Sequence, residues 1–125
     1  MQEAIRRAQS REEFYTDERC YITEWSNLAD DPAVSIARAR VEPGVTTRWH
    51  RLRGTVERYV VLQGRGRVEV GSLGAQEIGP GDVVLIPAGC AQRIACLGDE
   101  PLVFLAVCSP RFRQLDYEDI DPGPR

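Results

Sequence analysis

The only histidine in the chain, His50, has Arg48 and Leu52 two residues to either side, and Glu57 follows with Tyr59 and Val61 at the same two-residue steps. Side chains alternate along extended backbone. Arg48, His50 and Leu52 therefore share one face, Glu57 shares a face with Tyr59 and Val61, and Gln92 shares one with Ile94, while Trp49 and Arg51 point away. If those faces meet, Arg48, His50, Glu57, Tyr59 and Gln92 form a few convergent polar groups between apolar walls of Leu52, Val61 and Ile94, which is how small-molecule pockets are built. In one version of that pocket Arg48 or a neighbour pairs with Glu57 and keeps it ionised, and the carboxylate makes His50 easier to protonate. Such a cluster grips an anionic or hydroxylated metabolite, or is only a satisfied buried polar network.

Other chemistries have less support. All sixteen basic residues are arginine, so lysine Schiff bases and a phosphate-binding P-loop are excluded. The net charge is −3 and the arginines are scattered among nineteen acids, which leaves no electrostatic footprint for DNA or RNA. Cys20, Cys90, Cys96 and Cys108 contain no C-x-x-C pair and read as reduced packing residues, Cys90 included, because no histidine or lysine neighbours it to activate its thiol. Arg48, Arg51, Arg53 and Arg58 crowd one region, but strand parity divides them between faces.

Whatever these residues do, strands must position them. From Arg19 onward, apolar or alternating stretches recur at residues 20–25, 34–41, 46–52, 56–62, 66–70, 83–86, 92–96 and 102–108. Between them lie Glu42-Pro43-Gly44, Gln63-Gly64-Arg65-Gly66, Gly79-Pro80-Gly81-Asp82, Pro87-Ala88-Gly89 and Gly98-Asp99-Glu100-Pro101, all turn chemistry. No long helical pattern interrupts them, so the spacing predicts an all-β sandwich or barrel rather than a parallel α/β sheet. Residues 1–15 form a short amphipathic helix or an arm, 16–110 the barrel, and 111–125 an ordered strap that frays at its end. The length suits one domain, and the lack of a signal-like or membrane-length apolar run predicts a cytoplasmic protein with no membrane partner.

Two stretches are more specific. Gly44, His50, Leu52, Glu57 and Gly64 follow the order and spacing of the first cupin motif, in which a glycine turn leads to a histidine pair, a glutamate and a closing glycine. Gly81, Pro87, Gly89 and Gln92 follow the second motif, with Gln92 in the place of its histidine. Together with their flanking strands the two motifs cover most of residues 34–108, and the chain is identified as a member of the small single-domain cupins.

The resemblance implies a jelly-roll barrel with a divalent metal inside, held by two histidines, a glutamate and a third histidine. Only His50 and Glu57 match that set; Leu52 supplies no ligand, and Gln92 offers an amide oxygen, a weak ligand for zinc or iron. One divalent ion on His50, Glu57 and Gln92, of unspecified identity, and a metal-free pocket both stay open. So do two classes of function. One is a module that binds a small polar metabolite, with Arg48 and Gln92 contributing to the site. The other is a metal-dependent isomerase, decarboxylase or dioxygenase with His50 or Glu57 as ligand or general base and Tyr59 as acid. Fold does not choose between them. By resemblance and by the exposed edge expected at Cys20–Trp25, the chain forms a homodimer.

Overall fold

A computed structural model describes residues 1–124, and its strands form where the sequence alternates. They are β1 (Glu13–Tyr15), β2 (Tyr21–Ser26), β3 (Ser35–Val41), β4 (His50–Leu52), β5 (Val56–Gln63), β6 (Arg65–Val70), β7 (Gln76–Ile78), β8 (Val83–Ile86), β9 (Gln92–Leu97), β10 (Leu102–Ser109) and β11 (Tyr117–Asp119). Ala8–Ser10 and Gln114–Asp116 are single 3-10 turns, and the described residues contain no helix long and apolar enough to cross a membrane. The fold is all-β, with a six-stranded sheet in the order β1-β2-β3-β10-β5-β8 facing a five-stranded sheet in the order β11-β4-β9-β6-β7. All strand pairs are antiparallel.

Alternation decides which side chains meet between the sheets. Glu57, Tyr59 and Val61 of β5, Val84 and Ile86 of β8, and Gln92, Ile94 and Cys96 of β9 are buried, while Val83, Leu85, Leu62 and the β6 arginines Arg65 and Arg67 face out. Val41, Val61, Val68, Ile94, Cys96, Leu102 and Phe104 pack into one apolar cluster. Full burial of each large member contributes about 1.5–3 kcal/mol of favourable transfer. Elsewhere the inward positions are small: Ser35, Ala37 and Ala39 on β3, and Ala106 and Cys108 on β10. Side chains of that size cannot fill the gap between the sheets, and a cavity of about 590 Å³ remains there.

Three sequence expectations change. The stretch at residues 46–52 is a strand only from His50; Thr46 makes an isolated bridge to Ala95, and the Thr47 hydroxyl accepts the Ile94 N–H. A side chain thus takes a place a ladder partner would hold, and regular alternation stops there. β2 is not an edge, since β1 covers one side of it and β3 the other. The strap contributes a strand, β11, paired along β4; its last residue, Arg125, where fraying was expected, lies outside the described residues.

Two motif glycines differ in what surrounds them. Gly64 has φ +83°, and a Cβ there would lie 2.5 Å from the Pro101 carbonyl oxygen; Gly81 has φ +90° with nothing within 4 Å. Gly81→Ala should therefore cost only left-handed strain, about 1–2 kcal/mol, and Gly64→Ala clearly more, about 3 kcal/mol, because the β10 entry must also shift. Urea midpoints of the two variants check the order, and equal losses would refute the role given to the Pro101 contact.

Candidate functional site

His50 stands on a three-residue strand held from both sides, opposite Asp119 of β11 and opposite Gln92 of β9. Its Nδ1 lies 2.7 Å from the Arg48 carbonyl oxygen. A carbonyl only accepts, so Nδ1 carries the hydrogen, and the ring presents Nε2 to Glu18, whose Oε2 is 3.4 Å away. Tyr117 of the strap stacks on the imidazole, 5.2 Å between centroids and 21° between planes. Glu18 itself comes from the turn between β1 and β2. The Thr16 N–H and hydroxyl both donate to the Cys20 carbonyl, and Arg19 takes φ 76°, a conformation costly for a side chain of its size. The Glu18 carbonyl then accepts the Arg48 N–H at 3.1 Å, which ties this turn to the chain just before His50.

The other wall is a relay of hydrogen bonds between sheets. Tyr59 donates its hydroxyl to Gln92 Oε1, and Gln92 Nε2 donates to Glu57 Oε1 at 2.8 Å. The Cys108 thiol, opposite Glu57 in the β5–β10 ladder, points at Glu57 Oε2 from 3.6 Å. Burial pushes the Glu57 carboxyl above its ordinary value, opposed by the imidazole of His50 and the Gln92 amide and reinforced by Glu18. Burial likewise raises Glu18, with His50 opposing and Asp119 reinforcing. Tyr59 is held well above the ordinary phenol value by burial and then by Glu57 and Glu18, and its proton is already committed to Gln92. Burial also raises the Cys20 and Cys108 thiols, so both are packing groups at neutral pH.

Arg48 departs from the expectation that it joins the interior cluster or pairs with Glu57. It is 2% exposed, yet its guanidinium points into the strap: Nε donates to Asp119 Oδ2 at 2.7 Å, and the terminal nitrogens donate to the carbonyls of Pro124 at 2.8 Å and Gly123 at 2.9 Å. Counting parity back from His50 fails because residues 46–49 are not regular strand. Trp49 does face away, under the guanidinium of Arg93, and Arg51 pairs with Glu118 of the strap.

Of the residues the sequence singled out, the structure brings His50, Glu57 and Tyr59 to the cavity wall and sets Gln92 behind them as the link. The wall also contains Glu18, Glu24, Tyr117 and Asp119, none of which the sequence marked. The alternation of small residues at 35, 37 and 39 was a legible sign of the cavity; Glu18 had no such sign, because a backbone hydrogen bond from Arg48, thirty residues on and outside any strand, brings it there.

These donors do not fit a divalent cation. Both ends of the Gln92 amide are used, Leu52 is an apolar wall, and among the described residues no group of three or more His, Cys, Asp or Glu is arranged to hold a metal ion. What the arrangement offers instead is a buried carboxyl, Glu57, a partly buried one, Glu18, and an oriented imidazole around a common space.

Comparison with known proteins bears on the fold. Oxalate decarboxylase OxdC of Bacillus subtilis (strain 168) is 28% identical over 106 residues, which are 82% of this chain and 26% of that protein. The chain thus spans about a quarter of the length of the curated relative it matches. Among solved structures, the nucleoside dehydratase Pac13, known from Streptomyces, superposes with TM-score 0.79 at 18% identity over 96% of this chain and 92% of that one. KdgF from Halomonas sp. gives TM-score 0.78 at 14% identity over 91% of this chain and 99% of that one. At these identities the structural likeness is one of fold. The cupin domain family model, however, matches residues 37–108, the stretch that carries both glycine motifs, His50, Glu57 and Gln92, and on that match the chain belongs to the cupin family.

Proposed function

We propose that this protein binds a small polar metabolite inside the barrel and that His50 and Glu18 exchange a proton with it, with no divalent cation among the reacting groups. One observation carries the reading: the Arg48 carbonyl fixes the Nδ1–H tautomer of His50, so that Nε2 faces the partly buried Glu18 carboxyl at the cavity wall. An imidazole Nε2 lone pair takes a proton from an acidic carbon or hydroxyl, and a protonated carboxyl returns one to a departing oxygen. Isomerisation and loss of water both need that pair of transfers. The dehydratase named among the similar folds is an example of the second in a barrel of this shape. Glu57, Gln92 and Tyr59 satisfy one another and form the fixed wall against which the ligand rests. Binding is the broader part of the proposal and proton exchange the narrower part.

The edge at Cys20–Trp25 that suggested a homodimer is covered by β1, and another edge is open. β8 ends the six-stranded sheet with its outer edge unpaired, and it carries Val83 and Leu85 on the outside, Leu85 being 68% exposed. We propose that two copies meet along this edge, which covers both the unpaired backbone and the apolar side chains.

Because the chain has one histidine, nitrogen NMR of the imidazole reports on the site alone. The expected pattern is an Nδ1–H tautomer whose Nε2 resonance moves in Glu18→Gln and stays put when manganese or zinc is added. An Nε2–H tautomer, indifference to Glu18→Gln, or metal-specific broadening at His50 would each overturn the reading.

A raised carboxyl binds its proton more tightly in the folded chain than in the unfolded one. The stability contributed by neutral Glu57 is thus complete below the ordinary value of 4.5 and is lost as pH rises through the elevated folded value. Relative to Glu57→Gln, the parent protein should lose up to about 1.4 kcal/mol per pH unit across that window. Denaturant titrations from pH 4 upward, run on both proteins, check the slope; parallel curves would show that Glu57 binds its proton equally in the folded and unfolded chains. Light scattering after size exclusion tests the dimer, with Leu85→Arg expected to give monomer from a dimeric parent. A monomeric parent at micromolar concentration removes the β8 contact.

A further inference from the structure

Glu18, Glu24 and Glu57 line the cavity with Asp17 and Asp119, and among the described residues no arginine does; the sequence has no lysine. The partners of the three glutamates carry no permanent positive charge: His50 for Glu18, Asn27 for Glu24, and Gln92 with Cys108 for Glu57. Several nearby arginines are engaged elsewhere, and Arg111 binds the Asn27 side chain that meets Glu24. Arg48 is turned into the strap, Arg40 binds Glu13 and Glu42, Arg38 binds Glu13, and Arg58 donates to Ser109. A second observation concerns shape. β1 lays Phe14 along the cavity with about half of its surface exposed, opposite Ile22, while the Tyr15 ring packs edge-on against Tyr21, so one aromatic ring stands open beside the carboxyls.

We propose that the cavity takes a small organic cation, an amine attached to an apolar or aromatic body, and turns away carboxylates and phosphates. This deepens the reading above, since it rests on the same interior being the binding site, and it names the chemical class that enters. Buried carboxyls without a counter-charge are costly to ionise, and an ammonium placed among them supplies that charge where solvent does not. An anionic ligand finds no cation among the described lining residues, and its charge opposes ionisation of those carboxyls in a medium that screens poorly. Aromatic faces attract an ammonium electrostatically as well as packing its apolar body. The anionic metabolite allowed by the sequence required Arg48 inside the barrel, and Arg48 is not there.

Three matched probes test the charge alone: tyramine, tyrosol and 4-hydroxyphenylacetate share one ring and chain and end in an ammonium, a hydroxyl and a carboxylate. Calorimetric titration of the full chain near neutral pH should show tyramine binding about tenfold or more tightly than tyrosol, with the carboxylate weakest. Glu24→Gln, which leaves the His50–Glu18 pair in place, should cut the tyramine preference several-fold and leave tyrosol unchanged. Binding of the carboxylate as tightly as tyramine overturns the charge selection while interior binding stands. Equal binding of all three, or no heat from tyramine at millimolar concentration, also overturns it. The imidazole measurements on Glu18→Gln decide the proton-exchange reading separately, because they need no ligand.

Discussion

The site depends on one residue used three ways. Arg48 gives its backbone N–H to the Glu18 carbonyl, its carbonyl to His50 Nδ1, and its guanidinium to Asp119 and the carbonyls of Gly123 and Pro124. The first bond brings the turn after β1 to the barrel, the second sets the tautomer, and the third holds the strap whose Tyr117 covers the imidazole. A buried guanidinium needs such a set of partners, because leaving its donors unmet in the interior costs more than each bond returns. The need to satisfy Arg48 is thus what joins segments from near both ends of the chain to the middle of the cupin barrel.

The rest of the interior divides between packing and space. Where inward positions are Val, Ile, Leu and Phe, the sheets close; where β3 and β10 offer Ser35, Ala37, Ala39 and Ala106, they cannot, and the polar groups stand around the opening. The polar wall is not a loose collection. Tyr59, Gln92, Glu57 and Cys108 form one line of hydrogen bonds across the two sheets, so each carboxyl or amide is fixed by a neighbour that is itself fixed. Gln92, standing where a cupin histidine is usual, acts as a connector between Tyr59 and Glu57.

The long strands were legible because alternation over six or more residues leaves little ambiguity, and Val83–Ile86 stood out by being wholly apolar between turns. β1, β7 and β11 were not, because three residues carry no period. The fold family was legible from glycines at 44, 64, 81 and 89, whose positive φ values mark turns that a barrel of this connectivity requires. His50, Glu57 and Tyr59 were readable from strand parity, which failed at Arg48, where Thr47 breaks the ladder. Glu18 and Tyr117 were beyond reach for a different reason. Glu18 arrives from a turn and Tyr117 from a three-residue strand, both through tertiary contacts, and nothing in the local sequence records them.

The position of β11 at the end of its sheet has a consequence for local opening. It pairs only with β4, so it can peel away while the other ladders of both sheets stay closed. While it is peeled, Arg48 lacks its carboxylate and carbonyl partners, and the imidazole face that Tyr117 covers is open to solvent. The barrel thus has a cap that can lift without unfolding, and one strand pairing decides whether the imidazole is covered.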